Sequence, residues 1–195
     1  MIRKTIIALL ALVAVSAAVR AAEPFVLLSE LDYLGRTGPA LGLIGPEQLP
    51  TQPRGEIGGV RPAGWQTTRY DDLIEDHFLF NRCHVIAYQL SGINDDPRDL
   101  FTGTRALNVE GMLPWENMVS SYIRRTGGQV LYRVSPVYQG SELVPRGVEM
   151  EARSLADGGD SLQFHVFVYN VQPGVVIDYR DGGSRRDRSG ENGAA

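Results

Sequence analysis

The chain has 195 residues, 43% of them hydrophobic and 22% charged, enough for one domain with a sizeable core. Its net charge of −4 excludes passive, charge-driven nucleic-acid binding, but not an enzyme that meets phosphate through a bound cation and a local arginine cluster. A single cysteine, Cys83, excludes an intramolecular disulfide, so packing must supply the stability.

Residues 1–21 read as a secretory signal, with Arg3 and Lys4 before an apolar run from Ile6 to Ala18 and a cleavage site at Val19-Arg20-Ala21. The run is too short for a membrane span, so no stable membrane association is expected and the product is secreted or periplasmic. Cleavage near Ala21 leaves 174 residues with 16 arginines against 23 acids, a net charge of −7. Every remaining basic side chain is then arginine, which suits bidentate phosphate contact.

Residues 24–70 are rich in Gly and Pro and predict a loop-dominated lead-in with one or two short strands, around Phe25–Leu28 and Leu41–Ile44. A strand is expected from Phe78 to His84. Its alternation places Phe78, Phe80, Arg82 and His84 on one face, and Leu79, Asn81 and Cys83 on the other. That geometry makes a Cys83–His84 nucleophile pair poor and reads Cys83 as a small buried residue. Residues 92–99 form an acidic turn that lacks the glycine and distal glutamate of an EF-hand.

Leu100 to Asn108 leads into a helix marked by Pro114, Trp115, Met118, Val119, Tyr122 and Ile123, with Arg124 and Arg125 in its last turn and Gly127 as C-cap. Glu116 and Ser120 lie beside the apolar stripe. Strands over 129–138, 143–155 and 162–169 complete an antiparallel meander packed on the helix, a single α+β domain over residues 22–180. Residues 181–195 hold almost no apolar side chain and read as a disordered tail. Residues 117–141 contain Arg124, Arg125 and Arg133 without an acid and suggest a cationic rim. A zinc site from His77, His84 and His165 lacks clustered spacing.

The ordered series Asn81-Arg82-Cys83-His84, Thr102-Gly103-Thr104-Arg105, Asn108-Val109-Glu110-Gly111-Met112, Glu116-Asn117-Met118-Val119 and Tyr169-Asn170-Val171-Gln172-Pro173-Gly174 resembles the DNA/RNA non-specific endonucleases of the ββα-metal (His-Me finger) type, in particular the streptococcal secreted and DNA-entry nucleases. Tyr33-Leu34-Gly35-Arg36, Gly64-Trp65 and Tyr132-Arg133-Val134-Ser135-Pro136 extend the likeness over nearly the whole mature chain. The resemblance implies His84 as general base and Asn108 as the one protein ligand of a Mg2+ ion, for which Mn2+ can substitute. It also implies that Glu116, eight residues after Asn108, holds the metal's waters. Here Asn81 and Cys83 depart from the family's Asp-Arg-Gly-His, and Glu110 lacks the family spacing.

Phosphodiester hydrolysis needs these residue types. A histidine takes the proton of water, a hard cation stabilises the departing oxygen, and an arginine, here Arg82, clamps the phosphate. Contact with backbone phosphate alone reads no sequence, so DNA and RNA, single- or double-stranded, are expected substrates. Two other readings compete: an inactive relative that binds nucleic acid or a protein partner, and a hydrolase using the Cys83 thiol. No immunity or inhibitor protein can be read from the chain.

Overall fold

The computed structural model describes residues 23–189; the signal-like segment 1–21 and residues 190–195 lie outside the described residues. In chain order the strands are β1 (Phe25–Leu28), β2 (Ala40–Ile44), β3 (Phe80–His84), β4 (Leu100–Thr104), β5 (Val130–Val137), β6 (Gly147–Ser154), β7 (Gln163–Tyr169), β8 (Val175–Asp178) and β9 (Gly183–Arg186). They form a five-stranded antiparallel sheet in the order β1-β2-β5-β6-β7 and two two-stranded ribbons, β3-β4 and β8-β9. The α+β expectation and the meander of β5, β6 and β7 hold.

Alternation drives the large sheet. Strand β5 buries Val130, Tyr132 and Val134 and turns Leu131 and Arg133 outward. The helix Leu113–Thr126 lays Val119, Tyr122 and Ile123 into the main core, and Trp115 packs on Phe164 with ring centroids 5.0 Å apart. Each such side chain contributes roughly 1.5–3 kcal/mol by leaving water. Met118, expected in the stripe, is 45% exposed, because the buried arc runs through Glu116 and Ser120 instead. Gly127 ends the helix in the left-handed region at φ 66°, its N–H bonded to the Ile123 carbonyl.

Residues 100–112 are more structured than the expected lead-in. Leu100–Thr104 is β4, paired antiparallel with β3 so that His84 faces Leu100, Arg82 faces Thr102 and Asn81 faces Gly103. All five residues of β4 are buried, so no alternation betrays the strand. Leu107–Met112 is a π-helical turn that runs into the long helix, the Leu113 N–H bonding to the Asn108 carbonyl. The β3, β4 and helix succession is the expected ββα unit.

The disordered tail expected from Asp181 is corrected for residues 181–189. Strand β9 pairs with β8, Ser184 Oγ meets Tyr70 OH at 2.9 Å, and Arg186 Nη1 donates to Asp72 Oδ2 at 2.8 Å. Backbone pairing and ionic contacts hold this segment, and composition is blind to both. The hairpin covers a second apolar cluster that includes Tyr70, Ile74, Leu79, Phe80 and Val144.

Candidate active site

His84 ends β3, 7% exposed, with ring Nε2 at 2.8 Å from the Asn94 carbonyl. A carbonyl only accepts, so Nε2 carries the proton and Nδ1 is left as the basic nitrogen. Burial lowers the His84 pKa to about 4, opposed by hydrogen bonding with the Asn94 and Ile93 backbone and reinforced by the Arg54 charge. The imidazole is therefore neutral at neutral pH, the form a base requires.

Asn108 rises from the π-helical turn, and its Nδ2 donates to Asn81 Oδ1 at 3.1 Å. With the amide nitrogen engaged, Oδ1 accepts no bond from the described residues and is the atom offered outward. Gly103 permits this approach, since a Cβ there would lie 2.5 Å from Cys83 Sγ and 2.8 Å from Leu107 Cδ2. The turn is anchored from the far end of the chain. Fully buried Asn170 accepts from the Thr104 N–H at 2.8 Å and donates to the Thr102 and Pro145 carbonyls. Gln172 Oε1 accepts from the Ala106 N–H at 3.0 Å, and Thr104 Oγ1 accepts from the Leu107 N–H.

Glu116 sits in the first turn of the long helix, 8% exposed, where burial pushes its carboxyl up to about 7 against a Gln89 hydrogen bond and the Arg54 charge. Glu110 is exposed. Asp99 lies behind β3, with Oδ1 accepting from the Ile86 N–H and its carbonyl from the Val85 N–H, both at 2.8 Å. It thereby pins the two residues that follow His84.

Arg82, expected to clamp phosphate, lines the cleft and is held there by backbone and ring contacts. Its Nε donates to the Val60 carbonyl at 2.5 Å and its Nη2 to the Gly58 carbonyl at 2.9 Å, with the guanidinium 4.0 Å from the Trp65 ring centroid. It fastens the 58–65 loop to β3. The arginine that sequence reasoning missed is Arg54. It is exposed, donates to no partner among the described residues, and carries a charge felt by Cys83, His84 and Glu116. Arg54 also lines, with Asn81, Arg82, Arg105 and Asn108, a cleft of about 520 Å³. Arg54 thus shares the cleft with Asn108, and its charge acts on His84 and Glu116. Its only local signal was an arginine between Pro53 and Gly55 in the Gly/Pro-rich lead-in.

Asn94 was also missed. Its Oδ1 accepts from the Gly55 N–H at 3.0 Å and its Nδ2 reaches the Glu56 carbonyl at 3.4 Å, while its own carbonyl holds His84. Tyr88 OH donates to the Gln52 carbonyl at 2.9 Å, a second tie on the Arg54 segment.

Other expectations resolve plainly. Cys83 is fully buried and its thiol pKa is raised by burial, which removes it as a nucleophile. Arg133 pairs with Glu151 and Arg124 bonds to Ser120, so the expected cationic rim at 117–141 is not part of this cleft. His165 pairs with Glu149 at 2.6 Å and His77 with Asp71 at 3.4 Å. Among the described residues no group of three or more His, Cys, Asp or Glu side chains could hold a metal. A single amide oxygen with no such cluster around it suits a hard divalent ion that keeps most of its water ligands, as magnesium does, better than a tightly chelated metal.

The ββα unit ends β3 on buried His84, brings Asn108 to the cleft wall and places Glu116 in the first turn of the long helix. The family of DNA/RNA non-specific endonucleases matches residues 25–156, and the chain belongs to it, as a nucleic-acid hydrolase. The chain is similar to NucA from Streptococcus agalactiae with magnesium ion bound, at 24% identity and a TM-score of 0.76 over 86% of this chain and 80% of that one. It is similar to Sda1 nuclease with bound zinc ion, at 30% identity and a TM-score of 0.72 over 84% and 82%. An extracellular endonuclease aligns at 24% identity and a TM-score of 0.67 over 85% and 87%.

Proposed function

We propose that this nuclease is a secreted, magnesium-dependent endonuclease that cuts DNA and RNA without reading sequence. His84 Nδ1 accepts the proton of the attacking water, and Arg54 meets the phosphate charge that builds in the transition state. Asn108 Oδ1 would hold the metal, and Glu116 would orient its waters. A bound magnesium ion supplies Lewis-acid stabilisation of the phosphate and the leaving oxygen. Arg82 keeps the loop facing this cleft in place.

The observation that carries the reading is the fixed tautomer of His84, a buried neutral imidazole whose Nε2 is held by the Asn94 carbonyl at 2.8 Å. Export is supported by the basic and apolar segments before Ala21. The test is cleavage of plasmid and RNA by the purified protein with magnesium, with manganese or with chelator, comparing wild type with His84→Ala, Asn108→Ala, Arg54→Ala and Arg82→Ala. Metal-dependent cutting of both substrates is expected. The first three substitutions should abolish most of it and Arg82→Ala should cost less than Arg54→Ala. A folded wild type that cuts neither substrate overturns the reading. The N-terminal sequence of protein recovered from the medium or periplasm tests export.

A further inference from the structure

The cleft that holds Asn81 and Asn108 is not lined by charge alone. Trp65 and Phe78 share its wall, and each ring carries a guanidinium: Arg82 is 4.0 Å from the Trp65 centroid and Arg69 is 5.1 Å from the Phe78 centroid. The two rings differ in availability. Trp65 is half-buried and packs against the second apolar cluster, whereas Phe78 is 40% exposed and belongs to neither core cluster. Phe78, with the Arg69 guanidinium on one face, offers a flat apolar ring to the cleft.

Its position is set by the backbone. Phe78 forms an isolated bridge with Arg69 and leads directly into β3, three residues before Asn81. At the rise of extended chain this is roughly 10 Å from the residue that holds the Asn108 amide. A nucleoside adjoining a phosphate at Asn108 can span that interval. Arg105, which pairs with Asp76 at 3.1 Å, stands in the same wall, and Arg69 pairs with Asp71 at 2.8 Å. Positive charge here is partly neutralised, so the wall is better suited to a base than to a further phosphate.

We propose that Phe78 is a stacking platform for an unpaired nucleobase next to the scissile phosphate, and that it favours single-stranded over duplex substrate. The inference rests on the nuclease reading of the same cleft. Stacking on an aromatic face is indifferent to base identity, so the platform adds affinity without sequence preference. A base within a duplex has both faces covered by its neighbours and must be unstacked before it can use the ring. Phe78 therefore discriminates strand state, and its contribution lies in binding rather than in the chemical step.

The experiment measures cleavage kinetics and, with chelator present, fluorescence-anisotropy binding for wild type, Phe78→Ala and Phe78→Trp. The probes are a short single-stranded DNA, its duplex, and the same strand with abasic sites at its central positions. Phe78→Ala should weaken single-strand binding and raise KM about tenfold with kcat nearly unchanged, should leave the duplex little affected, and should lose nothing more on the abasic strand. Phe78→Trp should retain single-strand binding. Equal losses on intact and abasic strands, equal losses on single strand and duplex, or no loss at all would each overturn the proposal. Failure of wild type to cut any probe with metal would instead overturn the nuclease mechanism, and the binding comparison would still be read by itself.

Discussion

The side-chain amide of Asn108 donates through Nδ2 to Asn81 Oδ1 at 3.1 Å, so a residue of β3 sets the direction in which the candidate metal ligand presents its oxygen. The family's aspartate is absent at position 81, but an acceptor is still present there. Asn81→Ala should raise the magnesium concentration needed for half-maximal cleavage by about 10- to 100-fold, and Asn81→Asp should restore most of it. A magnesium titration of the cleavage rate checks this, and equal metal requirements in all three proteins would refute the contact's role.

The lowered pKa of His84 has a direct kinetic consequence. A histidine at its ordinary pKa of about 6.5 would lose its basic form through mild acid. His84, pushed down to about 4 by burial, keeps it. The acid limb of the pH–rate profile should therefore fall near pH 4 to 5, where a limb near 6.5 would contradict the burial argument. His84→Ala should lower kcat by about 10²- to 10⁴-fold.

Asn94 ties the Arg54 segment to the base, since its side chain holds Gly55 and Glu56 and its carbonyl holds His84. Asn94→Ala should reduce kcat about tenfold or more while the thermal midpoint moves by only a few degrees, because the side chain contacts loops rather than core. A large fall in midpoint with unchanged kcat would assign Asn94 to stability alone.

Asp99 makes stability depend on pH in a stated direction. Burial raises its pKa from 3.8 to about 8, so the folded protein holds a proton that the unfolded chain releases across that interval. Stability from this group is full below about pH 4 and declines as pH rises towards 8, by on the order of a few kcal/mol. Asp99→Asn should flatten that decline and be the more stable protein at pH 8, as read by urea unfolding at pH 5 and pH 8. His84 acts in the opposite sense, its contribution being lost as pH falls from about 6.5 to 4.

Asn170 bonds β4 to the segment around Pro145 from a fully buried position. Asn170→Ala leaves the Thr104 N–H and two carbonyls without partners and should cost about 3 kcal/mol or more. Denaturant unfolding measures it. Cleavage should fall as well, because the same bonds hold the turn that bears Asn108.

What the sequence determined by itself were features with a local signature. Period-two alternation marked β5 and β7, a 3.6-residue stripe with a closing glycine marked the long helix, and the ordered series through His84, Asn108 and Glu116 marked the family. Strand β4 escaped because all its residues are buried, and β9 because pairing and ion pairs rather than apolar burial hold it. Only the tertiary structure tied Arg82 to the 58–60 backbone and brought Arg54 to the same cleft. Only it joined Asn81 to Asn108 and anchored β4, next to the turn that bears Asn108, on Asn170. Each of these relations is a directional contact between residues far apart in the chain. A hydrogen bond of that kind leaves no period in the residues on either side of it, so it exists for the reader only once the chain has closed on itself.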